Sequence, residues 1–272
     1  MQLFDTHCHI QEEISAFHGA NDTRWQSSDV PAPDTQIADA AKAGVEYLLC
    51  VGTTVRSSRL AVEFVKTRSN CWAAVGLHPH DAKGASLEEL ASLLTANNTD
   101  VKQNKVVAIG ECGLDYFYEH SPKEQQLKTL KFQIELALKH DLPLIFHVRE
   151  AFDDFWPIFD SYQGIRGVVH SFTDSKANLD KILQRGLSVG VNGIATFTKN
   201  AGQLEVYKSI PLQNLVLETD APFLTPAPLR GRVNVPANVS LVAEFLAALR
   251  GESLTDLAEA TTLNTRRLFS IN

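Results

Sequence analysis

Residues 3–9 read Leu3-Phe4-Asp5-Thr6-His7-Cys8-His9. Along a strand, side chains alternate with period two, so the rings of His7 and His9 would point to the same side. On a helix the same two rings would diverge by about 200° and could not meet. The stretch therefore predicts a strand, Leu3–Thr6, that delivers two imidazoles at its end. Seven more apolar, β-branched runs of strand length follow at Val45–Val51, Trp72–Leu77, Val106–Ile109, Leu144–Phe146, Gly167–Val169, Leu187–Val191 and Leu215–Leu217. Amphipathic stretches separate them, around Gln36–Lys42, Ser58–Thr67, Leu87–Leu94, Lys123–Lys139, Phe152–Asp160, Ala177–Gln184 and Gln203–Tyr207, and two more follow at Val239–Leu249 and Leu254–Leu268. Eight strands in 272 residues average one per about 34, the size of a βα unit. Short, continuously apolar strands covered by helices argue for a parallel sheet. Eight such units predict an α/β fold, a (β/α)8 TIM-type barrel rather than an open sheet. No linker, low-complexity segment or internal repeat divides the chain, so residues 1–272 are expected to form a single TIM-barrel domain.

Composition narrows the function. A chain with 44% hydrophobic and 21% charged residues is that of a globular protein with a large core. No run approaches the roughly 18 apolar residues that span a bilayer. The opening Met1–Ile10 lacks the basic start and long apolar run of a signal peptide. The four cysteines, Cys8, Cys50, Cys71 and Cys112, make no close pair, which is the usage of a reducing compartment. A cytoplasmic protein is the expectation, and the sequons at Asn21, Asn97 and Asn238 then carry little. The net charge of −7 argues against coating nucleic acid by bulk electrostatics. It leaves room for a nucleic-acid enzyme whose metal ions supply positive charge locally.

The histidines are not scattered. Of nine, His7, His9, His78, His147 and His170 fall at or just past the end of an apolar strand, and His80 follows two residues after His78. Strand C-termini of a barrel converge on one mouth, where active sites are built. Carboxylates occupy equivalent places, Glu111 after Val106–Gly110 and Asp220 in Leu217-Glu218-Thr219-Asp220-Ala221-Pro222. Imidazole is the commonest metal ligand. Four histidines (His7, His9, His147, His170) and two carboxylates suffice for a two-metal site with one carboxylate bridging. Taken singly, a histidine after a strand is more often a rim or core residue, and His18, His120 and His140 read as solvated surface groups. Gly186-Leu187-Ser188-Val189-Gly190 matches G-x-S-x-G, but a nucleophile elbow needs a strand before the serine and a helix after it. Here the order is reversed, and Ser188 is expected inside the seventh strand.

These residues resemble the TatD family of metal-dependent deoxyribonucleases, a branch of the amidohydrolase-like barrels. The resemblance runs the length of the chain. It comprises Phe4–His9, Gly76-Leu77-His78-Pro79-His80, Ile109-Gly110-Glu111-Cys112-Gly113-Leu114-Asp115-Tyr116, Phe146-His147-Val148-Arg149, Val169-His170-Ser171-Phe172, Leu217–Leu224 and Arg230–Pro236. It implies that His7, His9, Glu111 and Asp220 hold one metal and that Glu111, His147 and His170 hold the second. It further implies that Asp220 orients or deprotonates the attacking water, and that His78 and Arg149 contact the scissile phosphate. The segment Gln11–Asp34 is longer than the family pattern, and Val233 and Val235 stand where polar residues are expected. Both departures touch substrate contacts rather than the metals.

Two divalent ions would acidify a water towards neutral pH and stabilise charge on a phosphodiester oxygen. Imidazoles favour Zn²⁺, Mn²⁺ or Ni²⁺, and the resemblance adds Mg²⁺. Arg149, at i+2 from His147, would point the same way and hold a non-bridging oxygen. Arg230 and Arg232 are either further phosphate clamps or solvated loop charges. Phe17 and Trp25 either stack on unpaired bases or pin their loop. The expected activity is an exonuclease on DNA, with single-stranded or frayed ends as substrate; a monomer is compatible with it. The alternative keeps the metals and changes the bond: an ester or amide hydrolase, such as an aminoacyl-tRNA deacylase, or a small-molecule phosphodiesterase. A non-catalytic barrel that keeps a metal for stability is the third class.

Overall fold

The computed structural model describes residues 2–12, 30–95 and 104–271. Its strands are β1 (Leu3–Cys8), β2 (Val45–Val51), β3 (Cys71–Val75), β4 (Val106–Asp115), β5 (Leu144–Arg149), β6 (Gly167–Val169), β7 (Ser188–Val191) and β8 (Leu215–Leu217). They lie in one parallel sheet in the order β1 to β8, alternating with helices as a (β/α)8 barrel of the TIM type requires. The helices are α1 (Pro33–Lys42), α2 (Val55–Val65), α3 (Leu87–Thr95), α4 (Lys123–Lys139), α5 (Phe152–Asp160), α6 (Lys176–Gln184), α7 (Ile194–Phe197), α8 (Ala201–Lys208), α9 (Val239–Arg250) and α10 (Leu254–Phe269). Phe17, His18, Asn21, Trp25 and Asn97 lie outside the described residues. Among those described, no helix is long and apolar enough to cross a membrane.

The fold comprises two compact units, Met1–Cys50 with Ser171–Leu179 and Val189–Thr265, and Val51–His170 with Asp180–Ser188 and Arg266–Asn272. In the first, β1 pairs with β2 and β7 with β8. Leu3, Leu48, Leu49, Val189 and Leu217 are buried there, as are Val242 and Leu246 of α9. In the second, β3 to β6 pair in sequence. Phe146 of β5 meets Phe155 and Phe159 of α5 edge-on at 5.1 and 6.0 Å. Such aromatic packing anchors the helix on the sheet.

Two strands are irregular where the chemistry falls. β1 slips register against β2 between Asp5 and Cys8, the interval that holds Thr6 and His7. β4 slips against β5 between Ile109 and Cys112, the interval that holds Gly110 and Glu111. A bulge bends a strand and re-aims a side chain, which is why bulges gather beside active sites. Past its bulge β4 regains register, with Gly113 opposite His147 and Asp115 opposite Arg149. Gly113 (φ 150°) admits no side chain: a Cβ there would lie 1.8 Å from the His147 carbonyl oxygen. Gly113→Ala is therefore expected to cost about 3 kcal/mol or more. In a thermal melt this should read as a fall of roughly 6–12 °C. A midpoint within about 2 °C of the parent would mean the two strands can part freely.

Several expected boundaries move. β1 and β4 continue through their bulges to Cys8 and Asp115, and β5 continues to Arg149. Glu111 and His147 thus sit within strands rather than past their ends. Ser188 opens β7, as the order of elements predicts.

Candidate metal centre

In the first unit, three side chains converge. His7 and His9 are buried, with their Nε2 atoms 3.2 Å apart. Asp220 Oδ1 lies 3.3 Å from His9 Nε2 and 3.7 Å from His7 Nε2. Ligands bound at about 2.1 Å to one ion sit about 3.0–3.4 Å apart, a spacing that two of these three separations meet and the third, 3.7 Å, exceeds.

The backbone aims these groups. Asp220 has φ 59°, a left-handed conformation uncommon outside glycine. It is held there by its N–H donating to His7 O at 2.8 Å, while His9 N–H donates to Ala221 O at 2.7 Å. Asp5, fully buried, ties the same pieces together. Its Oδ1 accepts from Thr219 N–H at 2.8 Å and from His7 N–H at 3.3 Å, and its Oδ2 accepts from the Thr219 hydroxyl at 2.6 Å. Burial pushes the Asp5 carboxyl up to about 8, against the pull of those donors. Nearby Glu218 is also buried and accepts from Ser171 N–H at 2.7 Å and the Asn192 amide at 3.2 Å.

In the second unit, Glu111 is the hub. Its Oε1 lies 3.0 Å from His147 Nδ1, 3.4 Å from His78 Nε2 and 3.7 Å from His170 Nε2. Donor atoms of His78, Glu111 and His147 all lie within 4.8 Å of one another, a set able to hold a metal. Two buried glutamines of α4, one helix face apart by seven residues, fix the surrounding backbone. Gln133 bonds both N–H and C=O of Leu77, just before His78, at 2.8 and 3.0 Å. Gln126 does the same for Asp115 at 2.8 and 3.0 Å.

Asp115, which stands in a sequence motif that gives it no role, is a functional candidate. Its Oδ2 accepts from His147 Nε2 at 2.8 Å and His80 Nε2 at 3.0 Å, and its Oδ1 accepts from Phe117 and Tyr118 N–H, each at 3.0 Å. Burial alone would raise its pKa, but the hydrogen bonds from His147, His80 and Tyr118 hold it well below the usual carboxylate range. An ionised Asp115 only accepts, so the His147 proton sits on Nε2, leaving Nδ1 to face Glu111. A carboxylate that orients an imidazole in this way is the usual outer partner of a metal-binding histidine. Burial lowers the His147 pKa, but Asp115 and Glu111 outweigh it and raise it.

His78 differs. Its Nδ1 accepts the His80 backbone N–H at 3.1 Å, and burial pushes its pKa down to about 4. A neutral His78 whose Nδ1 accepts that N–H carries its proton on Nε2, 3.4 Å from Glu111 Oε1. Arg149 lies at the exposed end of β5, its guanidinium 4.1 and 4.8 Å over the rings of Phe117 and Tyr118. Arg230 is engaged in its own loop, bonded to Thr225 O at 3.0 Å and lying over Phe197 at 3.8 Å. His120 is exposed, but its ring packs 4.6 Å from that of His80.

The profile of a protein family described as TatD related DNase matches residues 4–270. The chain belongs to the TatD family. It is 36% identical to the uncharacterized metal-dependent hydrolase YabD of Bacillus subtilis, over 99% of this chain and 100% of that one. It is 35% identical to the 3'-5' ssDNA/RNA exonuclease TatD of Erwinia amylovora, over 88% of this chain and 93% of that one. The crystal structure of the TatD homologue YjjV from Escherichia coli K12 superposes with a TM-score of 0.86 at 29% identity, covering 99% of this chain and 98% of that one. An uncharacterized amidohydrolase from Saccharomyces cerevisiae, TM-score 0.84 at 23% identity, shares the fold over 99% of this chain. The TatD-type chain is thus a metal-dependent hydrolase with His/Asp/Glu clusters able to bind metal.

Proposed function

We propose that residues 1–272 work as one barrel domain whose two clusters share a dinuclear metal centre that shortens single-stranded or frayed DNA from its ends. In this reading His7, His9, Glu111 and Asp220 hold one divalent ion, and Glu111, His147 and His170 hold the other. The single observation that carries it is the hub position of Glu111, whose Oε1 is within 3.7 Å of three imidazoles. The choice of nucleic acid is supported by relatives whose names make them ssDNA/RNA exonucleases.

When bound, the ions supply an acidified water and positive charge against a phosphodiester oxygen. The chain's own residues do the rest. Asp220 Oδ1, beside His9 Nε2, takes the proton of the attacking water. His78 Nε2–H, neutral and preset by its bond at Nδ1, donates to a non-bridging oxygen of the scissile phosphate. Arg149, always charged, holds a phosphate oxygen at the rim. A cytoplasmic location fits the burial of all four cysteines.

The test uses metal-stripped protein with end-labelled single-stranded and duplex DNA, and Mg²⁺, Mn²⁺, Zn²⁺ or Ni²⁺ added back. Metal-dependent shortening, faster on single strands, is expected, and chelator should return it to background. DNA left intact under every ion, with turnover of a carboxylic ester or an aminoacyl-tRNA, would transfer the same centre to ester hydrolysis.

A further inference from the structure

We propose that Phe117, Tyr118 and Arg149 form a stacking subsite for an unpaired base next to the scissile phosphate; this rests on the nuclease reading above. Phe117 and Tyr118 are 50% and 49% exposed, and they are the two aromatic members among the exposed large hydrophobic residues of the described chain. They are adjacent, and only Tyr116 separates them from the end of β4. Their rings meet edge to face, centroids 4.7 Å apart at 88°. Arg149 lies over both. A cation placed over aromatic faces is held in place, and its planar N–H fork remains suited to phosphate.

The patch is tied to the candidate metal centre through one carboxylate. Asp115 takes the backbone N–H of both aromatic residues on Oδ1 and the His147 proton on Oδ2. Tyr118 also packs against His80 at 5.5 Å, and His80 reaches the same Oδ2. A bare apolar patch would be indifferent to ligand charge. This one carries a fixed guanidinium and two imidazoles, His80 and His120, so an anionic, flat-faced occupant complements it. A nucleotide with a free base has both properties. Every base has a π-face, so such a platform is tolerant of sequence, and it admits a base only when that base is not paired.

The experiment compares single-stranded oligonucleotides that differ only in whether the two nucleotides at each end carry a base or are abasic. Wild type should shorten the natural oligonucleotide roughly 5- to 150-fold faster than the abasic one, the range expected for one stacked base. The double variant Phe117→Leu/Tyr118→Leu should bring that ratio close to one. The exchange Phe117→Tyr/Tyr118→Phe, which keeps both rings, should preserve it. Equal wild-type rates on the two substrates, or an unchanged ratio in the double leucine variant, would overturn the subsite while leaving the nuclease reading in place. Failure of wild type to shorten either oligonucleotide would overturn both.

Discussion

Glu111→Gln should reduce turnover of every substrate by at least about 10³-fold, more than any other single change in the chain. The substitution is nearly isosteric in a position that is 4% exposed, so it leaves the packing of β4 alone. What changes is charge and hydrogen-bond direction. Glu111 Oε1 faces His147, His78 and His170 at 3.0, 3.4 and 3.7 Å. An amide in its place either turns its NH₂ towards those rings or keeps its oxygen there without the negative charge. Both arrangements weaken a site that depends on an anionic donor between imidazoles. Because Glu111 is proposed to serve both ions, metal content per chain should fall together with activity. The informative pair of readouts is bound metal after dialysis and turnover at saturating metal. Full metal content with activity within about tenfold of wild type would remove Glu111 from the shared position.

The legible parts of the fold were those written in local pattern. α4 and α5 fall at Lys123–Lys139 and Phe152–Asp160, the limits that amphipathic spacing predicts. β2, β6 and β8 likewise match their apolar runs. The strands that carry chemistry run beyond their apolar stretches. Gly110 looks like a strand end and is instead part of a bulge, after which β4 runs on to Asp115. His147 and Arg149 look like loop residues because they are polar, yet they continue β5. The four-residue α7 has too few residues to show a period. The residues proposed to hold metal, His7, His9, Glu111, His147, His170 and Asp220, stand out in the sequence because five strand ends repeat one theme. Asp5, Asp115, Gln126 and Gln133 do not. Their partners are backbone groups or rings far along the chain, and no spacing rule announces a side chain that bonds Leu77 from residue 133.

Asp115→Asn is the sharper test of how the centre is organised, because it changes one atom and four hydrogen bonds depend on it. Oδ1 must go on accepting from Phe117 and Tyr118 N–H, each at 3.0 Å, so the asparagine carbonyl belongs there. The amide NH₂ then replaces Oδ2 and faces His147 Nε2–H and His80 Nε2–H, donor against donor. His147 escapes by moving its proton to Nδ1, the nitrogen 3.0 Å from Glu111. That nitrogen then has no lone pair to offer, and the second proposed ion loses a ligand. Loss of such an outer partner typically weakens metal affinity by about 10- to 100-fold. The expected result is activity that is low at limiting metal and recovers as the ion is titrated upward, with the half-saturating concentration displaced by that factor. A residue needed only for folding would lower the melting temperature and leave the metal titration where it was. The variants of Phe117 and Tyr118 should do neither: they touch the substrate side of the same carboxylate, so their defect should persist at any metal concentration. Coincident metal titrations for Asp115→Asn and wild type would mean that His147 is oriented without help from Asp115, and the carboxylate would then serve the aromatic rim alone.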